Sequence, residues 1–166
     1  MPRLEMRIED FEPYFEYKDG QLIRKIDHKH KNKGRIAGSP DHKGYLKVTH
    51  KTKGYFIHRI VYLMHHGYCP DFVDHIDNDK TNNRIENLRP ADISTNHYNC
   101  KIPSNNTSGF KGVHQLKNQN YYQATISYNG KRKYLGSFAN AKLADEFVSL
   151  AREMVHGEFA NNGLGA

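Results

Sequence analysis

Residues 73–88 read Val-Asp-His-Ile-Asp-Asn-Asp-Lys-Thr-Asn-Asn-Arg-Ile-Glu-Asn-Leu, a polar, turn-rich stretch held between two short apolar runs. Asp, Asn and Thr side chains compete for neighbouring backbone groups, so a long helix cannot pass through Asp77 to Asn83. The stretch predicts two short strands joined by a loop, the first ending near Ile76 and the second running through Asn87 to Arg89, with Pro90 closing it. Asp92 or Ser94 then caps a helix that carries Asn96 in its opening turns. The product is a strand, loop, strand and helix around one polar cleft.

Composition limits what can surround this unit. At 166 residues, 37% hydrophobic and with a mean hydropathy of −0.86, the chain can bury one modest core or two small ones. Its formal charge of +7 and pI near 9.3 are spread along the sequence, which favours a polyanionic partner, nucleic acid first. No apolar run reaches the ~18 residues of a membrane span, and Met-Pro-Arg-Leu-Glu lacks a signal-peptide core. A soluble, cytoplasmic protein with no membrane partner is expected. Cys69 and Cys100 form no Cys-x-x-Cys pair, so neither a disulfide framework nor a thiolate zinc ribbon can be built.

Upstream, Tyr14 to Tyr17, Leu22 to Lys25, Arg35 to Ala37, Tyr45 to Thr49 and Tyr55 to Ile57 are β-prone. Turns fall at Asp19-Gly20, Gly34, Gly38-Ser39-Pro40 and Lys53-Gly54, and His28 to Lys33 form a basic loop. A short β meander over 1–57 follows. His58 to His66 fits an amphipathic packing helix stopped by Gly67; adjacent histidines such as His65 and His66 diverge by ~100° and rarely share an ion.

Chemistry concentrates at Asp74 and His75, whose side chains point to opposite faces of a strand, although a twist or bulge could bring both onto one phosphate. Asn87 and Asn96 can supply an amide to orient the imidazole and an amide oxygen for a hard cation. The pattern Asp74-His75, Asn-Asn-Arg-Ile-Glu-Asn-Leu and then Asn96 resembles the HNH, or His-Me finger, endonucleases, and Tyr55 to Tyr62 is similar to the helix entry of their phage and intron-encoded homing members. The resemblance implies that His75 is the general base, Asn87 its orienter, and Asp74 with Asn96 the metal ligands. Asn96 stands where many members have histidine, which disfavours soft metals. One Mg²⁺ per site, with Mn²⁺ substituting, is the implied cofactor. Histidine's ordinary pKa of about 6.5 suits it to accept a proton from water near neutrality. An Asn87 oxygen accepting from Nδ1–H would leave Nε2 to act. His97 is a further candidate phosphate contact. Asp77 and Asp79 resemble the start of a calcium loop that lacks its glycine and closing glutamate.

The last third has its own pattern. After the polar linker Ser104 to Ser108, strands are predicted from Gly109 to His114, over Tyr121 to Tyr128, and over Lys131 to Phe138 across an Asn129-Gly130 turn. Ala141, Ala144, Phe147, Val148, Ala151 and Val155 fall on one helical face between Asn140 and His156, able to cover that sheet. Ser108 to Val113, Leu135 to Phe138 and the alanine-bearing helix resemble the AP2 DNA-binding domain, with Tyr122 where that family has tryptophan. The resemblance implies a sheet entering the major groove of double-stranded DNA, with His114, Lys117, Gln123, Thr125, Ser127, Lys131 and Lys133 as DNA-binding candidates. Period-two spacing puts Gln123, Thr125 and Ser127 on one face and Tyr122, Ala124 and Ile126 toward the helix. The expected fold is α+β, with an N-terminal β meander (1–57), a central ββα-metal HNH finger (58–103), and a three-stranded antiparallel sheet packed on one helix (104–166). The expected function is metal-dependent, site-selective cleavage of DNA of the homing type, by a monomer in preference to a dimer. A non-catalytic AP2-type regulator is the alternative.

Overall fold

Asp19 and Gly20, at φ 49° and 82°, turn the strand Phe15–Lys18 (β1) back onto Gln21–Arg24 (β2). The computed structural model that shows this describes residues 6–26, 32–92, 102–116 and 118–162. The chain divides into two compact units, residues 1–91 and 92–166.

In the first unit a second sheet has the order β3-β4-β5, from Ser39–Pro40 (β3), Leu46–His50 (β4) and Lys53–Phe56 (β5). The predicted strand over Arg35 to Ala37 is reduced to one bridge, Ile36 to Ile23. Pairing with β4 instead uses Ser39 and Pro40, where a turn was expected. The β4–β5 turn also moves: His50 pairs Lys53, so the loop is Lys51-Thr52, both at positive φ (46° and 69°). A turn of that shape normally uses Asn-Gly, and Lys-Thr gives no such signal.

The helix Ile57–His66 (α1) buries Ile57, Ile60, Val61 and Leu63 in one cluster with Phe11, Phe15, Leu22, Val48, Val73 and Leu88. Gly67, at φ 74°, ends it as expected, its N–H donating to the Leu63 carbonyl. Val73 and Leu88 belong to the antiparallel pair Phe72–His75 (β6) and Leu88–Ala91 (β7), so the core holds both strands of the polar stretch against α1. Pro90 lies inside β7, opposite Val73, instead of ending it. A two-stranded sheet has an outer edge where the missing N–H breaks no ladder.

The second unit is a three-stranded antiparallel sheet in the order β10-β9-β8, from Val113–Gln115 (β8), Tyr122–Tyr128 (β9) and Lys131–Phe138 (β10). The Asn129-Gly130 turn is present, both residues at positive φ. Asn140 caps the helix Ala141–His156 (α2), its Oδ1 accepting from the Leu143 N–H. The buried stripe of α2 is Ala144, Val148, Arg152 and His156, whereas Phe147 and Val155, expected inside, are 47% and 40% exposed. Ala144 and Val148 pack on Val113 and Ala124. No helix among the described residues is long and apolar enough to cross a membrane.

Gly112 sits at φ 80°, and a Cβ there would come 2.6 Å from the Thr125 carbonyl oxygen, whereas Gly109, at φ 78°, faces open space. Gly109→Ala should therefore cost only the left-handed backbone penalty, about 1–2 kcal/mol. Gly112→Ala should cost at least about 1 kcal/mol more, through displacement of β9. Urea unfolding followed at β9 amides measures the difference.

Candidate active site

Cross-strand pairing sets the site. Asp74 stands opposite Arg89, and His75 opposite Leu88, so the two chemistry-bearing neighbours leave β6 on opposite faces. On one face the Asp74 Oδ2 accepts from Arg89 Nε at 3.0 Å and from a terminal guanidinium nitrogen at 2.9 Å. Both side chains are buried, 9% and 8% exposed.

On the other face His75 is buried, and its Nε2 lies 3.1 Å from Oδ1 of Asn83. Asn83 is itself almost wholly buried, and its Nδ2 donates to the Thr81 carbonyl at 3.2 Å. That second bond fixes which end of the amide faces the ring. Oδ1 can only accept, so Nε2 carries the proton and the lone pair of the neutral ring lies on Nδ1. This reverses the arrangement expected from the sequence, in which Asn87 accepts from Nδ1–H and Nε2 is left to act.

Asn87 is engaged elsewhere. Its Oδ1 accepts from the Asp77 N–H (3.1 Å), and its Nδ2 donates to Asp77 Oδ1 and to the Asn82 carbonyl, both at 2.8 Å. Its own carbonyl accepts from the Ile76 N–H at 2.9 Å. Asn82 Nδ2 donates to Asp77 Oδ2, while the N–H and hydroxyl of Thr81 both donate to Asp79 Oδ1. Desolvation raises Asp77, but hydrogen bonds from Asn82, the Asp79 N–H and Asn87 prevail and hold it below its usual range. Asp79 is held low by the backbone and hydroxyl of Thr81. The two carboxylates that suggested a calcium loop serve to fold the loop itself.

Around His75 lies an aromatic box. The His58 ring meets it edge-on at 4.9 Å, and Tyr45 is 6.0 Å away, with Phe56 5.5 Å from both Tyr45 and His58. Burial lowers His75, opposed by the Asn83 bond and by Asp77, Asp74 and Asp79. His58, 6% exposed, is driven from 6.5 to about 3 by burial, with His75 and Arg59 adding to the shift, and its Nδ1 has no partner among the described residues. Two ammonium groups rim the box: Lys80 Nζ is 4.7 Å from the Tyr45 ring centre, and Lys47 Nζ is 4.6 Å from that of Phe56.

Of the two expected metal ligands only Asp74 is among the described residues; Asn96 lies outside them, as does His97. Any ion on Asp74 would share that carboxylate with Arg89. Among the described residues no group of three His, Cys, Asp or Glu side chains could hold a metal by itself.

In the second unit His114, Gln123, Thr125 and Ser127 occupy the sheet face away from α2, His114 pairing Gln123 across the strands and its Nε2 lying 2.9 Å from Thr125 Oγ1. Lys131 and Lys133 pair Tyr128 and Ile126, which puts them on the opposite face from those four. Arg132 and Tyr134, opposite Ser127 and Thr125, occupy the open face instead. The β10 register decides this, and a one-residue slip exchanges the two sets. Lys117 lies outside the described residues.

Residues 55–98 match the HNH endonuclease family. Over 91 residues the chain is 33% identical to protein 3.8 of Escherichia phage T7, covering 54% of this chain and 73% of that protein. Over 107 residues it is 35% identical to the uncharacterized HNH endonuclease L560 of Acanthamoeba polyphaga mimivirus, covering 63% of this chain and 54% of that one. No solved structure matches the chain.

Two outcomes follow from the buried groups. Folded His58 stays neutral down to about pH 3, while the unfolded chain protonates it below 6.5. Its stabilisation is therefore complete above pH 6.5 and is lost as pH falls toward 3, by at most about 1.4 kcal/mol per pH unit. His58→Leu should flatten that slope in urea titrations between pH 6 and 4. Arg89→Ala leaves the Asp74 carboxylate buried without its ion-pair partner and should cost about 3–5 kcal/mol, whereas the pair Asp74→Leu/Arg89→Met should cost far less by the same assay.

Proposed function

We propose that this chain, whose residues 55–98 match the HNH endonuclease family, cleaves double-stranded DNA by metal-assisted hydrolysis, with His75 as the general base acting through Nδ1. The observation that carries this reading is the relay from the Thr81 carbonyl through the Asn83 amide to His75 Nε2, which places the ring's lone pair on a defined nitrogen. Asn83 is a positioning residue for the imidazole. Asn87 positions Asn83 in turn, because its amide closes the loop from which Asn83 projects.

Asp74 and Asn96 would hold one divalent ion, Mg²⁺ or in its place Mn²⁺. Bound there, the ion would neutralise charge on the scissile phosphate and the departing 3′ oxygen, leaving a 5′ phosphate. Burial keeps His75 unprotonated near neutral pH, ready to accept the proton of the attacking water. Lys47 and Lys80, beside the aromatic box, are suited to phosphates flanking the cut.

Residues 58–103 would cut, while 104–166, with help from the N-terminal strands, would grip DNA in the manner of an AP2-type sheet. His114, Gln123, Thr125, Ser127 and Arg132 would face the groove, and Lys117, Lys131 and Lys133 would reach backbone phosphates. A monomer has one such site and would nick. Both relatives are viral, which favours the cytoplasm of an infected cell as the setting, and the role proposed there is of the homing type.

The test is relaxation of supercoiled plasmid in Mg²⁺. Wild type should nick it, and His75→Ala should lower the rate by about 10²–10⁴ while leaving gel-shift affinity intact. Asn83→Ala should lower kcat with little change in KM. Undiminished cutting by His75→Ala would remove the base assignment. If both proteins shift DNA and neither cuts, the chain is a DNA-binding regulator.

A further inference from the structure

The last two turns of α2 bury Arg152 and His156 where α2 earlier buries Ala144 and Val148. Strand β8 explains the change. It begins only at Val113, so beyond Thr125 the edge of β9 lacks a neighbouring strand, and a cavity of about 390 Å³ opens there between the sheet edge, the end of α2 and the segment 103–107. Its walls include Lys111, His114, Thr125, Ser127, Arg132 and Arg152.

Arg152 is 3% exposed, yet both of its hydrogen-bond partners are neutral: the Lys111 carbonyl accepts from one guanidinium nitrogen at 2.9 Å and the Asn162 amide oxygen from the other. Among the described residues no carboxylate forms an ion pair with it. Asp145 and Glu153 both act on Arg152 electrostatically without hydrogen-bonding it, and Glu153 also accepts from Asn162 Nδ2 at 3.3 Å. A guanidinium held this far from water without an adjacent anion is costly unless a counter-charge arrives. Arg132 adds a second guanidinium from the open face of the sheet, and the hydroxyls of Ser127 and Thr125 add polar groups.

We propose that this cavity seats one phosphate group, contributed by the DNA backbone, with Arg152 as its fixed base and Arg132 as its exposed partner. The proposal rests on the DNA-binding reading given above and deepens it. A phosphate there would lie at the border of the face carrying His114, Gln123, Thr125 and Ser127, fixing how those side chains meet the groove.

The test is the salt dependence of duplex-DNA binding by the full chain, measured by fluorescence anisotropy in chelator so that no strand is cut. Each lost phosphate contact lowers the slope of log K against log salt by roughly 0.9. Arg132→Gln and Arg152→Gln should each lower it by that amount, and the double variant by no more than either single, because both serve one phosphate. Circular dichroism checks folding. Should Arg152→Gln fail to fold, Arg132→Gln carries the slope measurement, and inorganic phosphate titrated into wild type should shift the Gly112 and Ser127 amides, a shift lost in Arg132→Gln. Unchanged slopes with wild-type binding intact would overturn the cavity assignment while leaving the DNA reading standing. Phosphate-induced shifts together with unchanged slopes would make this a free-phosphate site and overturn the DNA source. No DNA binding by wild type would remove the underlying reading as well.

Discussion

One amide, that of Asn87, sets the geometry of the site without touching the imidazole. It accepts from the Asp77 backbone, donates to Asp77 and to the Asn82 carbonyl, and so ties both ends of the loop between β6 and β7. Three bonds from one short side chain substitute for the ladder that strands of this length cannot extend. Asn83 is then held in the interior, aimed at His75. A glutamine at 87 has the same polar groups on a longer stem, and a leucine has none of them; neither would close the loop at this length.

The legibility of the chain follows the range of the interactions that decide each feature. α1, the Asn129-Gly130 turn, the Asn140 cap and the last two strands rest on local chemistry: apolar periodicity, a residue tolerant of positive φ, an amide beside a free helix end. Those are written in adjacent residues. The strand expected over Gly109 to His114 is confined to Val113–Gln115, because Gly109 and Gly112 turn at positive φ. The Lys51-Thr52 turn and the placement of Pro90 within β7 are settled by pairing across strands. Register likewise separates Lys131 and Lys133 from the open face and places Arg132 on it, since a strand's charges read the same either way until its partner fixes their direction.

Within the candidate site, the Asp74-His75 pair is set apart from Asp27-His28 and Asp41-His42 by the Asp- and Asn-rich loop that follows it. The division of labour between Asn83 and Asn87 has no such signal. Both are asparagines in one polar run, and only the folded loop shows which amide reaches the ring. His58 gave a different signal. On α1 it looks like one more position of a packing helix, and only the approach of β6 brings its ring against His75.

Electrostatics on the two faces of β6 are handled in opposite ways, and the difference suits the two tasks proposed for them. His75 and His58 form a neutral pair, since burial discourages a proton on either ring. Asp74 lies against the Arg89 guanidinium in a buried ion pair. A base must be free of its proton before substrate arrives, which an apolar box provides. A metal ligand must be ionised before the metal arrives, which an apolar box would oppose and a guanidinium favours. Placing the two residues in sequence on one strand gives each its own face, and with it the environment that its chemistry requires.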